Sequence, residues 1–106
     1  MEQCEYVRQV LEAYRSTPGT AGVVRRPDRL FAAQLYGRGV PLETVSNALT
    51  LAAARRSVRS ADAPPLGTVR SLAYFSPVID EVLQMKVGAE YFQHLRLKLQ
   101  RVTNPR

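Results

Sequence analysis

The chain has 106 residues, enough for one domain with one modest core and too few for two. Hydrophobic residues are 45 %, enough to fold, and charged residues 23 %, enough for solubility, and no run approaches the roughly 18 apolar residues that a membrane span needs. Lys and Arg total 15 against 9 for Asp and Glu, a net charge of +6 and a pI near 10.1, with thirteen of those cations Arg.

Such an excess attracts polyanions, nucleic acid above all, although an Arg-rich composition also arises from genomic base composition and a solvated surface. The opening "MEQCEY" carries Glu2 and Glu5 and no apolar run, so it does not read as a secretory leader, and a cytoplasmic location is the expectation. Cys4 is the sole cysteine, which rules out an intrachain disulfide and a thiolate metal cluster.

The first predicted helix is "YVRQVLEAY", with Val7, Val10, Leu11 and Tyr14 on one face. "STPGTAG" ends it at the Pro18-Gly19 turn. A second helix starts at Pro27, whose fixed φ suits a first turn, with Asp28 favourably placed at the positive end of the helix dipole. Leu30, Phe31, Gln34 and Leu35 come next, and Gly37 and Gly39 stop it. The third helix runs from Pro41 to about Arg59, with an inward stripe of Leu42, Val45, Ala48, Leu49 and Ala52. "SADAPPLGT" is a loop stiffened by Pro64-Pro65 and turned at Gly67, and Thr68 is a candidate cap for a helix beginning at Val69. Leu72, Phe75, Ile79, Val82 and Leu83 share a face, and Pro77 inside that pattern predicts a new helix start with Ser76 as its cap. Gly88 ends that segment. A last helix, "AEYFQHLRLKLQRV", turns Phe92, Leu95, Leu99 and Val102 inward, and 103–106 form a frayed tail. Only "GVV" at 22–24 hints at a strand. The expectation is a single all-α domain over 1–106, a small bundle of about five helices.

Little here suits an enzyme. His94 stands alone, Asp80 and Glu81 are neighbours that point to different sides of a helix, and no phosphate loop, nucleophile elbow or metal-ligand spacing occurs. No catalytic residue, metal or cofactor is expected. The Tyr74-Phe75 and Tyr91-Phe92 pairs each fit one inward and one rim residue better than a base-stacking platform.

The basic residues are more informative. Arg55, Arg56 and Arg59 close the third helix, and Arg70 lies across the loop from them. Arg96, Lys98 and Arg101 form a second group in the last helix, and Arg25, Arg26, Arg29 and Arg38 flank the second. Cations near helix C-termini stabilise the helix dipole without any partner; alternatively two or three of these groups converge on a phosphate-binding face. The stretch "GVPLETVSNAL" resembles the turn and recognition helix of a helix-turn-helix, and in that geometry Asn47 would be the one candidate base reader beside Glu43 and Ser46. Pro41 in place of a capping Ser, Leu35 where a small residue is usual, and the length of the helix argue against it.

The stretches "LYGRGVPLETVSNALTLAAARR", "APPLGTVRSLAYFSPVIDEVL" and "EYFQHLRLKL", about three quarters of the chain, resemble a family of short uncharacterised bacterial proteins, a resemblance that implies no particular activity. More distantly, Gly39, Val40, Val45 and Ala48, then Tyr74, Phe75 and Ile79, are similar in layout to the C-terminal module of DnaD-like and phage replication accessory proteins. That resemblance implies a helical accessory module supporting DNA and partner contacts. The leading expectation is therefore a small basic protein that binds DNA or RNA mainly through phosphate, within a replication or mobile-element nucleoprotein complex, using Arg55, Arg56, Arg59, Arg70, Arg96, Lys98, Arg101 and Asn47. The alternative is a non-enzymatic protein–protein adaptor whose apolar groove takes a partner helix.

Overall fold

Tyr6, Val10 and Tyr14 recur every fourth residue and form the buried stripe of the first helix, α1 (Gln3–Ser16). In the computed structural model, which describes residues 1–58, 62–64, 66–85 and 89–103 (side chains in the last segment for 91–100), four more helices come after it. They are α2 (Arg26–Gly37), α3 (Leu42–Ser57), α4 (Ser76–Gln84) and α5 (Ala89–Thr103), and a 3-10 turn at Leu72–Phe75 leads into α4. The all-α bundle expected from the sequence is the fold of the protein.

The central helix is α3. Val45, Asn47, Ala48, Leu49, Leu51, Ala52 and Ala53 are all buried, so its apolar surface extends most of the way round. It packs on α1, α4, α5 and the 3-10 turn, while α2 packs on α1 and the 3-10 turn. The small Ala48, Ala52 and Ala53 let neighbours approach closely. Phe75, Leu72, Ile79, Val10, Tyr14, Leu35 and Val45 form the fully buried centre, and Phe92 brings α5 into it.

The corner between α2 and α3 turns at Gly39, whose φ of +74° suits glycine alone at no steric cost. Tyr6 fastens that corner from α1: its ring meets Tyr36 edge-on at 5.3 Å, and its hydroxyl donates to the Val40 carbonyl at 2.7 Å. Burial pushes the Tyr6 hydroxyl pKa up. A helix-turn-helix pair would pack its two helices on each other and leave a reading face open; here α2 and α3 both pack on α1 and the 3-10 turn rather than chiefly on each other.

Several details differ from the sequence reading. The inward face of α2 is Asp28, Ala32 and Leu35, which leaves Leu30 53 % exposed. Leu83 likewise points outward from α4. Thr68 starts no helix; the chain stays extended until Leu72. Pro77 does lie in the first turn of α4, but Phe75 rather than Ser76 occupies the capping position and no side chain caps it, because the 3-10 turn already supplies helical backbone there. Leu95 is half-buried against the core rather than within it. The lone β-bridge among the described residues joins Thr20 to Val69, just before the "GVV" stretch. Pro65, Gly88 and the 104–106 part of the tail lie outside the described residues, as does the Val102 side chain.

Candidate nucleic-acid interface

The most deeply buried charged residue among the described residues is Asp28, in the first turn of α2 and only 2 % exposed. One carboxylate oxygen accepts the Arg25 N–H at 2.9 Å, closing the helix start, and the other accepts the Leu72 N–H at 2.9 Å. The second bond holds the extended segment 66–72 against the beginning of α2. That segment is also stitched to the α1–α2 loop, with Val69 N–H donating to Gly19 O at 2.8 Å and Ala21 N–H to Val69 O at 2.9 Å. Val69 and Leu72 are buried, and Arg70 next to Val69 is exposed.

Arg70 is thereby brought to the end of the molecule that carries Arg25, Arg26 and Arg29, all exposed. None of these four makes an ion pair among the described residues. Asp28 itself is spent on backbone donors, and the positive end of the α2 dipole adds to the local potential. Arg56 reaches the same loop from α3, donating to Gly67 O at 2.6 Å and Tyr74 Oη at 3.2 Å, with its guanidinium 5.8 Å from the Tyr74 ring centre. Gly19, with φ of +92°, makes this possible: a Cβ there would stand 3.1 Å from Arg56 Nε. The partners of Arg56 are neutral, so its charge stays available.

The α4 side of the molecule is different. Arg55 grips both carboxylate oxygens of Glu81, and Arg38 meets Asp80 at 3.2 Å. The Arg55 hydrogen bond holds the Glu81 carboxyl below its ordinary pKa, and Glu81 raises that of Arg55 in return. The α1 surface shows the same pattern, with Arg8 on Glu5 and Arg15 on Glu12; the bonds from Arg8 and Gln9 lower Glu5 from 4.5 to about 2.

Asn47 is 8 % exposed, buried under α5, where its amide oxygen accepts from Arg96; Ser46 Oγ accepts from the same guanidinium nitrogen at 3.4 Å. Asn47 therefore does not sit on an open face where a base edge could reach it. Lys98 is exposed beside Ala54, Ser57 and Val58 at the end of α3. Arg59 lies outside the described residues, as does the Arg101 side chain. The expected basic set thus divides: Arg56 and Arg70 share the loop at the head of α2, Arg55 pairs with α4, and Arg96 packs on Asn47 about 13 Å back along α3.

The aromatic pairs split as expected, Phe75 and Phe92 inward and Tyr74 and Tyr91 at the rim. His94 is exposed. Among the described residues no group of His, Cys, Asp and Glu could hold a metal ion, and no helix is long and apolar enough to cross a membrane. The class that fold and site define is a small helical bundle with an arginine cluster at one end that makes no ion pair among the described residues. No protein-family model, curated protein or solved structure matches the chain.

Sequence reasoning marks Arg25, Arg26 and Arg29 only as residues flanking a helix. Asp28 three positions after Arg25 is a readable sign of a helix start. Nothing local announces that the same carboxylate holds Leu72, 44 residues on.

Proposed function

We propose that the protein is a non-enzymatic accessory that binds the phosphate backbone of nucleic acid, DNA or RNA, through Arg25, Arg26, Arg29 and Arg70, with Arg56 beside them. A place in a replication or mobile-element nucleoprotein complex suits such a module, and the layout resemblance to DnaD-like accessory modules points the same way. The observation that supports this most is the Asp28–Leu72 bond, which gathers at one helix start four arginines that no carboxylate neutralises among the described residues. Phosphate contacts of this kind hold without reading sequence. Burial of Asn47 removes the one candidate base reader from the surface.

Fluorescence anisotropy against duplexes and single strands of scrambled sequence, titrated over salt, tests the reading. Binding should be insensitive to sequence and fall with salt, with a log–log slope of about −0.9 per duplex phosphate contacted or about −0.7 for single strands. Alanine at Arg25, Arg26, Arg29 and Arg70 together should cost more than tenfold in affinity and flatten the slope by about three to four units. A parent protein that binds no nucleic acid even at low salt overturns the proposal. The adaptor reading would then take its place, on the apolar groove of about 450 Å³ between α1 and α2 that Val7, Leu11 and Ala33 line.

A further inference from the structure

A cleft of about 300 Å³ opens where the C-terminal end of α1, the middle of α3 and α5 meet. Ala13, Leu49 and Leu99 give it an apolar wall, Thr17, Ser46 and Thr50 a hydroxyl rim, and Arg96 a cation; no carboxylate among the described residues lines it. It shares none of the residues of the arginine cluster at the head of α2.

Arg96 is the unusual member. Arg8, Arg15, Arg38 and Arg55 each pair with a carboxylate in the open. Arg96 is half-buried, and its Nη2 donates to two neutral acceptors, Asn47 Oδ1 and Ser46 Oγ. Its Nε–H and Nη1 donors have no acceptor among the described residues. A partly desolvated guanidinium with neutral partners keeps an unbalanced positive charge, and an anion supplied from solution would offset it.

The hydroxyls are already oriented. Thr17 Oγ1 donates to Ala13 O at 2.7 Å and Thr50 Oγ1 to Ser46 O at 3.0 Å, so both are left as acceptors. Ser46 Oγ accepts from Arg96, which leaves its proton to donate outward. The end of α1 would ordinarily repel an anion, but the Ala13 carbonyl is taken by Thr17, and that of Tyr14 by the Thr17 N–H at 3.1 Å and Thr20 Oγ1 at 3.2 Å. The volume is at the small end of ligand cavities.

We infer that this cleft binds a small organic carboxylate, its anionic end on Arg96 and Ser46 and its short apolar body against Leu49 and Leu99. One guanidinium edge and one hydroxyl match a single negative charge better than a phosphate dianion, and the apolar wall has nothing to offer a bare ion.

The test is a 15N–1H NMR titration of the full chain with 4-methylpentanoate, its neutral counterpart 4-methylpentanol, and inorganic phosphate. The carboxylate should shift amides of 16–17, 46–50 and 95–100 and saturate with a Kd in the millimolar range, and the other two probes should bind the cleft at least tenfold more weakly. Arg96→Met should abolish saturation. Because that variant also loses the Asn47 contact, Ala13→Leu is the second arm: it fills the wall from a helical position and should weaken the carboxylate at least tenfold while leaving Arg96 in place. Equal binding of the alcohol, equal binding of phosphate, shifts centred on Arg25, Arg26, Arg29 and Arg70, or no shift up to about 20 mM would each overturn the inference, as would an Ala13→Leu protein that binds like the parent.

Discussion

Arg55 and Arg56 are neighbours on α3 with opposite fates. Arg55 faces α4 and is held by Glu81; Arg56 faces the loop at the head of α2 and is held by a carbonyl and a phenol. The same contrast separates whole regions. On the α4 side, cations meet the carboxylates of Asp80 and Glu81 across helices. At the head of α2, Arg25, Arg26, Arg29 and Arg70 meet none among the described residues, and the one acid in that first turn is turned inward. Net charge measured along the chain is therefore a poor guide to where charge is free. Tertiary packing decides which cations are neutralised, and so where a polyanion would settle.

The strongest way to break this contrast is to cut what builds the α2 end. Asp28→Ala strands the Leu72 and Arg25 N–H groups and should cost about 2–4 kcal/mol, read as a loss in urea-unfolding midpoint. It should also weaken nucleic-acid binding although it removes a negative charge, because Arg70 is no longer held beside its companions. Tighter binding by this variant would show that plain charge, not the gathered geometry, attracts the ligand.

Next comes a direct comparison of the two sides. Arg70→Ala should reduce the salt slope of binding by about one unit, and Arg55→Ala should leave it nearly unchanged. Equal losses would erase the distinction between free and paired arginines.

Glu81→Gln sharpens it from the other direction. Freed from its partner, Arg55 should add modestly to nucleic-acid affinity, while stability changes little, since the pair is exposed. The pH dependence has a definite sign. Glu81 and Glu5 have depressed folded-state pKa values, so their pairs stabilise fully above the ordinary carboxylate range and are lost as pH falls through the folded values, for Glu5 between 4.5 and about 2. Acid titration of Glu81→Gln followed by circular dichroism should show a shallower loss of stability below the ordinary carboxylate range than the parent.

The smallest effect is expected at Pro77→Ala. In the first turn of α4 the proline lacks only an N–H that would be unpaired anyway, so the change should lie within about 0.5 kcal/mol. A clear rise in Tm would mean that the proline breaks a longer helix, which would have relieved about 3 kcal/mol.

Helices are legible in the sequence because their signals are local. The turns at Pro18-Gly19 and Gly39 and the repeats through Val10 and Tyr14, or Val45, Ala48 and Leu49, need only near neighbours to be read. Burial of Asn47 and Leu51 escapes such a reading because they lie off the main stripe of α3, and only a helix covered on several sides hides such positions. The candidate site is less legible. Arg70 stands out in the sequence, but beside Arg55 and Arg59 rather than Arg25, Arg26 and Arg29, since the loop length alone suggests the nearer helix end. On the α4 side, which arginine meets which carboxylate depends on contacts between residues 26 to 42 positions apart, and periodicity carries no trace of them.

The Asp28–Leu72 bond closes a stretch of 44 residues that contains the whole of α3. Closing so long a loop costs chain entropy that local helix formation does not, and the docked segment is fastened by only a few hydrogen bonds, to Gly19, Ala21, Asp28 and Arg56. Segment 66–72 is thus expected to open before α1 and α3 do, at the cost of exposing Val69 and Leu72. In hydrogen exchange the Val69 and Leu72 amides should open together, at lower free energy than those of Val45 or Leu49. A polyanion that bridges Arg70 and Arg26 would slow both in concert, so that the ligand completes the folding of the end it holds.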